Sequence, residues 1–294
     1  SEIVQLIQKD RIDILVDLDG HTANNRLLVF ACKPAPIRVT GFDFVATTGL
    51  KTMNYRFSDP IMTPPKLWKF NSEKIYYLTT HLHWKPPLIH ILITDPPSIS
   101  QKNITLGCAN SLFKLNQKVI ALWSQILNWI PSSHLSLKAD RLHDSETIEW
   151  FLQCFKTYDI EPHRISFQSG QGEHIDYLQF YQSIDIALDP FPYNGGITTC
   201  EALWMGVPLI TLAGGRRAGE SILITVGLPD LVAQTPEDYI HLTIALAKNK
   251  ERLSQLRTIL RNKISDSPLC NGPAFAKEVE TAYQWMWENY YGGH

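Results

Sequence analysis

The residues with the clearest chemical potential lie in one stretch, 185–208, which reads DIALDPFPYNGGITTCEALWMGVP. A short apolar strand ends at Asp189, a loop rich in Pro and Gly follows, and a helix opens near Ile197-Thr198-Thr199. In open α/β sheets, ligands bind at the carboxyl ends of strands. A helix N-terminus placed there adds N–H groups without helical partners and a partial positive charge, which suit a diphosphate. Gly195 and Gly196 would let a phosphate approach the backbone, and the Thr198 and Thr199 hydroxyls would add hydrogen bonds. Glu201, expected in the first turn, would accept from ribose hydroxyls. The same residues also describe a capped helix behind a Gly turn that holds no ligand, since Gly-rich loops before helices are common.

The elements that must hold this loop follow from the chain around it. Strands at 104–109, 135–137, 164–167, 186–188 and 208–212 alternate with helices at 117–130, 144–158, 175–184 and 198–205. That alternation predicts βαβ units and a parallel sheet covered on both faces. Helical segments at 236–264 and 274–290 close the chain, and the aromatics of the last (Tyr283, Trp285, Trp287, Tyr290) suit a helix packed on something large. Upstream, a helix at 2–10 leads into a strand at 12–18 that runs into Asp19-Gly20. A short helix at 25–33 is stopped by Pro34 and Pro36, and strands follow at 37–44, 55–58 and 74–78. The Pro-rich run 86–98 reads as a junction. We therefore expect a first domain over 1–90, a linker over 91–103, a second domain over 104–270 and a C-terminal helix within 271–294.

Bulk properties narrow the function classes. A chain of 294 residues is long enough for two α/β domains, and 44% hydrophobic with 19% charged residues describes an ordinary globular protein. The net charge of −2 offers no basic excess for nucleic acid or an anionic membrane. The longest apolar stretch, 205–213, is far shorter than the roughly 20 residues a membrane span needs. No leader-like pattern opens the chain. The five cysteines are odd in number, widely spaced and form no CxxC pair, which argues against a zinc module or a disulfide framework. Reduced, mostly buried thiols in a cytoplasmic protein are the simplest expectation. Residues 245–263 interleave Lys248, Lys250, Arg252, Arg257, Arg261 and Lys263 with leucines; we expect a solvated helix face there rather than a nucleic-acid surface.

The string FPYNGGITTCEALWMGVP resembles the signature of the O-GlcNAc transferase catalytic region, shared with SPINDLY-like proteins. Further similar blocks are IDILVDLDGHTANNRL (12–27), KPAPIRVT (33–40), TTGL (47–50), SDPIMTPP (58–65), LFKLNQKVIALWSQIL (112–127) and GLPDLVAQTPEDY (227–239). They run in the family's order over nearly the whole chain. The resemblance implies glycosyltransferase family 41: an α/β fold of GT-B type, two Rossmann-like domains with parallel sheets, and a C-terminal helix crossing back to the first. It implies a metal-independent, inverting transfer of N-acetylglucosamine from UDP-GlcNAc to Ser or Thr of proteins, with no cofactor. It also implies tetratricopeptide repeats in a full-length parent and a first domain that is incomplete here, because the family's leading strands and His-Pro loop have no counterpart. An incomplete domain would expose sheet edge and core, from which we expect an isolated chain prone to aggregate.

The family's site carries over residue by residue. Lys114 matches the lysine that contacts the donor diphosphate, and Asn194, Gly195, Gly196, Thr198 and Thr199 fall in the donor-phosphate loop. Glu201 sits where an acidic residue meets the ribose. Tyr177 stands where a histidine contacts the nucleotide, and nearby His174 is a candidate substitute. His21, in the Gly-His-Thr loop, falls near the expected active cleft and is the catalytic candidate, although a lone His is more often structural. The chain departs from the pattern at 41–46 (GFDFVA for a Trp-containing loop), at Ile197 (for a hydroxyl residue) and at 214–221, which is shorter than its counterpart. Transfer of fucose from GDP, transfer of hexose to Asn, and a non-catalytic nucleotide- or partner-binding remnant are the competing readings.

Overall fold

The computed structural model describes residues 2–42, 44–101 and 103–292. It divides into two compact units, residues 1–85 with 268–294 and residues 86–267. The first break thus falls at the start of the Pro-rich run, and residues 91–103, expected as a linker, belong to the second unit.

The first unit opens with α1 (Glu2–Lys9), β1 (Ile14–Asp17), α2 (Leu27–Ala31), β2 (Ile37–Thr40), β3 (Tyr55–Ser58) and β4 (Lys74–Tyr77). The four strands are parallel and lie in the order β1-β2-β3-β4. Leu27 and Phe30 of α2 cover one face together with Met53. The strand expected over 37–44 ends at Thr40, and Asp43, within that strand and the divergent 41–46 loop, lies outside the described residues, as does Ser1 ahead of α1. Helix α1 buries none of its side chains, leaving Ile3 and Leu6 exposed.

The second unit runs through α3 (Pro97–Gln101), β5 (Thr105–Cys108), α4 (Gln117–Trp129), β6 (His134–Ala139), α5 (Ser145–Lys156), β7 (Ile165–Ser169), α6 (His174–Gln179) and β8 (Ile186–Leu188). It continues with α7 (Ile197–Trp204), β9 (Leu209–Leu212), α8 (Ala218–Thr225), β10 (Val232–Ala233), α9 (Pro236–Lys248) and α10 (Lys250–Ser265). The six parallel strands lie in the order β10-β9-β8-β5-β6-β7. Apolar strand residues Leu106, Leu135, Ile186 and Ile210 are fully buried, as expected of a sheet covered on both faces. The chain starts in the middle at β5, winds outward through β6 and β7, and returns to the other side of β5 with β8. The loops leaving β5 and β8 therefore turn in opposite directions, which opens a crevice between adjacent strand ends.

Helix ends follow local chemistry. Asn116 caps α4, Asp144 caps α5 and Thr235 caps α9, each accepting from first-turn N–H groups. The single segment expected over 236–264 is two helices, because Asn249 ends α9 and caps α10, accepting the Arg252 N–H at 2.8 Å. The 175–184 helix is α-helical to Gln179 and tightens to a 3-10 turn over Phe180–Ser183. The solvated basic face expected on α10 is corrected in part. Arg257 is only 2% exposed and donates to the carbonyls of Tyr181, Ile184 and Met205. Arg261 donates to the carbonyls of Trp204 and Ile91. Trp204 and Met205 close α7, whose last carbonyls lack helical partners, and Tyr181 and Ile184 lie in and just after the 3-10 turn, so the guanidinium groups satisfy the ends of two elements.

After residue 267 the chain returns to the first unit as α11 (Gly272–Tyr291), capped by Asn271. Ala282 and Met286 pack on Ile37, Val39, Phe57 and Leu78, and Trp285 lies against the rings of Tyr55 and Tyr76. No helix among the described residues is long and apolar enough to cross a membrane. No disulfide joins the five cysteines; Cys108 and Cys200 are buried, whereas Cys32 is exposed, so "mostly buried" holds for only part of the set.

Candidate functional site

The crevice of the second unit is organised from beneath by Asp189, which follows β8 and is fully buried. Its Oδ1 accepts the Gly195 N–H at 2.6 Å and its Oδ2 accepts the Thr211 hydroxyl at 2.6 Å. Asn194 Nδ2 donates to Thr211 Oγ1 at 3.2 Å, and the Tyr239 hydroxyl donates to the Asp189 carbonyl at 3.0 Å. These bonds fold the 190–196 loop back over the strand end. Burial pushes the Asp189 carboxyl up to about 6, against the opposing pull of its hydrogen bonds and of Lys114.

Helix α7 opens directly on this loop. Gly196 precedes it, and no side chain caps its first N–H groups. The Thr198 hydroxyl donates to Asn110 Oδ1 at 3.1 Å, while Thr199 Oγ1 and Asn194 Oδ1 are buried without a hydrogen-bond partner. A Cβ on Gly195 would stand 2.6 Å from Thr198 Oγ1 and 2.7 Å from Thr199 Oγ1, so the two hydroxyls close on the glycine. A Cβ on Gly196 would meet nothing within 4 Å, so the backbone there faces open space.

The loop after β5 supplies the cation. Lys114 ends a 3-10 turn, and its ammonium donates to Asn110 Oδ1 at 2.9 Å and to the Asn194 carbonyl at 3.0 Å. Burial lowers its pKa, with Asp189 and Cys108 acting in the opposite sense. Asn116, besides capping α4, donates to the Phe191 carbonyl at 2.7 Å and ties the two loops together. A cavity of about 440 Å³ adjoins this cluster, lined by Thr198, Tyr177, Trp150, Phe151, Lys138 and Arg141 among others. Its aromatic side chains, set among polar and charged ones such as Lys138 and Arg141, suit a flat heterocycle that also carries hydrogen-bonding groups. Phe113 and Ile197 stand exposed beside it.

The remaining expected residues divide. Glu201 is the fifth residue of α7 and so lies in the second turn rather than the first. It is 5% exposed, with Oε1 2.7 Å from His174 Nε2, and burial raises its pKa while His174 opposes that shift. His174 opens α6 and holds Glu201, whereas Tyr177 lines the cavity and donates its hydroxyl to the Ala109 carbonyl. His21 belongs to the first unit. It is exposed, and its Nε2 lies 2.9 Å from the Thr48 carbonyl. A carbonyl only accepts, so Nε2 carries the proton and Nδ1 is the ring's acceptor in the neutral form.

The sequence alone does not mark Asn110, Asn116 or Thr211 as site residues, and it shows Asp189 only as the end of a strand. A polar residue within two positions of the end of each of two apolar strands, Asn110 after β5 and Asp189 after β8, is the available signal. Among the described residues no group of three or more His, Cys, Asp or Glu converges to hold a metal ion.

Comparison with known proteins accords with this geometry. The family model described as glycosyl transferase family 41 matches residues 2–84 and 91–279. The chain is 38% identical to a probable UDP-N-acetylglucosamine–peptide N-acetylglucosaminyltransferase, SPINDLY, of Arabidopsis thaliana, over 100% of this chain and 32% of that protein. It is 29% identical to the probable enzyme of the same type called SEC, from the same plant, over 99% of this chain and 31% of that protein. Among solved structures, a mutant O-GlcNAc transferase of Thermobaculum terrenum superposes with a TM-score of 0.90 at 34% identity, covering 98% of this chain and 55% of that one. The chain spans about a third of the length of these curated relatives. Two units with parallel sheets and this structural likeness make the fold α/β of GT-B type. With nearly every residue inside the matched ranges, the chain belongs to glycosyl transferase family 41.

Proposed function

We propose that this chain is the catalytic part of a glycosyltransferase that moves N-acetylglucosamine from UDP-GlcNAc to Ser or Thr hydroxyls of proteins, inverting the anomeric centre. The observation that carries this reading is Lys114 and the open end of α7 facing one another across the crevice, in a chain whose relatives bear that activity in their names. The acceptor oxygen attacks the anomeric carbon as the bond to the donor diphosphate breaks, and the electron pair leaves with the diphosphate. Lys114 and the first N–H groups of α7 stabilise that growing charge, a role that needs no metal. Thr198, Thr199 and Asn194 position the phosphates, the aromatic cavity takes the base, and Glu201, held by His174, receives the ribose. His21, with Nε2 fixed on Thr48, offers Nδ1 as the acceptor of the hydroxyl proton. Five cysteines without a disulfide support a reducing, cytoplasmic setting. Repeats in a longer parent would select the protein acceptor.

Calorimetric titration with UDP and GDP tests the reading, with Lys114→Ala as control. Saturable binding of UDP over GDP that the variant loses by tenfold or more is expected, consistent with about 1.5–3 kcal/mol for a charged hydrogen bond. Preference for GDP would turn the donor to a guanosine sugar. Binding of neither nucleotide by folded protein would overturn the proposal.

A further inference from the structure

Two cations converge on one ring at the crevice, and only one of them has a role so far. The loop between β9 and α8 sits on the 190–193 loop: the Arg216 N–H donates to the Pro192 carbonyl at 3.0 Å. Gly215, at φ +57°, permits that seat, since a Cβ there would stand 2.3 Å from the Pro192 carbonyl oxygen. The seat brings the Arg216 guanidinium to 4.3 Å from the centroid of Tyr193, a ring that also carries the Lys114 ammonium at 4.8 Å. The adjacent Arg217 is engaged differently, pairing with Glu220 at 3.2 Å.

Lys114 and Arg216 thus bring two positive charges to the same ring. Arg216 acts on Lys114 as a like charge, in the same sense as its burial. The nearby carboxylate, Asp189, is buried beneath the loop and already engaged by Gly195 and Thr211. Beside the cations, Thr199 Oγ1 is fully buried without a hydrogen-bond partner, next to Gly195 at the uncapped start of α7. Arginine suits the position, because its planar fork can stack on an aromatic face and still present N–H donors to phosphate oxygens.

We propose that Arg216 is the second cation of the diphosphate site, held by Tyr193 beside Lys114 so that each phosphoryl group of a nucleoside diphosphate meets one of the two. The inference rests on the donor-site reading above and adds a binding residue to it.

The test uses inorganic pyrophosphate as probe, titrated calorimetrically into the full chain and into Arg216→Ala, Arg216→Lys and Tyr193→Leu at low and moderate salt. Expected is a loss of about tenfold to a hundredfold for Arg216→Ala, partial recovery for Arg216→Lys, and a weaker loss for Tyr193→Leu. The salt dependence of pyrophosphate binding should be shallower in Arg216→Ala, and orthophosphate, which one cation can hold, should be less affected. Pyrophosphate affinity unchanged in Arg216→Ala overturns the assignment, as does a wild type that fails to bind pyrophosphate. A fall in melting temperature with unchanged affinity does so too, since Arg216 would then be structural. A parallel UDP titration separates the two readings. Arg216-dependent pyrophosphate binding that uridine does not improve defeats the nucleotide-sugar proposal alone; UDP binding indifferent to Arg216→Ala defeats this one alone.

Discussion

Asp189 shows how much of a site can hang on one carboxyl group. It anchors Gly195 and, through Thr211, Asn194, and burial raises its pKa from 3.8 to about 6. The folded state thus holds the proton more tightly than the unfolded chain. Between about pH 4 and pH 6 the folded protein carries more protons, so stability from this residue is highest below pH 4 and falls as pH rises. A shift of about two units corresponds to about 3 kcal/mol. Wild type should therefore lose about 3 kcal/mol relative to Asp189→Asn between pH 4 and pH 7, read by chemical denaturation of both proteins. Parallel stability profiles would show that the carboxyl stays ionised throughout. The two glycines of the loop make a sharper contrast. Gly195→Ala should lower the melting temperature and weaken nucleotide binding at least tenfold, because its Cβ collides with Thr198 and Thr199. Gly196→Ala has open space and should melt like wild type; if it still loses nucleotide, the phosphate lies over residue 196. The glycines, threonines and Glu201 were legible in the sequence because they cluster within a few positions. Asn110 was not, since its value comes from Thr198, 88 positions away. Glu201 falls just past the first turn because α7 starts at Ile197, one residue before the expected 198, and the N-terminal limit of a helix depends on how the preceding loop folds.

Elements were legible where a period or a stop signal was strong. The alternation from β5 to β9 stands out because buried strands are short apolar runs between amphipathic helices. Helix α8 escaped notice because it is nearly all apolar or small (AGESILIT) and shows no polar face, and β10 is only two residues long. The break between α9 and α10 rests on one side chain, so Asn249→Ala should cost about 1 kcal/mol, the usual value of an N-cap. Arg257 binds α10 to the carbonyl ends of its neighbours, and burial lowers its pKa to about 10. Arg257→Met should destabilise by about 3 kcal/mol, since three carbonyls lose a charged donor in a dry interior. Thermal melts of the two variants check both values, and a near-neutral Arg257→Met would restore the view of α10 as a solvated basic face.

At the scale of the whole molecule, the residues proposed to hold the donor and the cavity lie in residues 86–267, one uninterrupted stretch with its own sheet and core. That stretch expressed alone should fold and bind UDP within a few-fold of the full chain, by the same titration. Loss of binding in a folded fragment would show that residues of the first unit complete the nucleotide site. The first unit carries a different liability. Ile3, Leu6, Leu18 and Leu28 are exposed on and beside α1 and α2, and β1 is an edge strand. Concentration-dependent association in sedimentation velocity is the expected result, and a monomer that melts cooperatively at high concentration would count against it.

The first unit is also made from two separated pieces of chain, and its core joins Leu78 to Ala282 and Met286. A ribosome adding roughly 5–20 residues per second needs about 10–40 s to cover the 204 positions from Leu78 to Ala282 (282 − 78). For that interval the side of β2 and β3 bearing Ile37, Val39 and Phe57 waits without its covering helix, while the second unit can emerge and close. The order of birth is therefore inverted, with the unit begun first finished last. An apolar sheet face left open for tens of seconds is a natural client for a nascent-chain chaperone, and a stop codon ahead of residue 272 would leave it open for good.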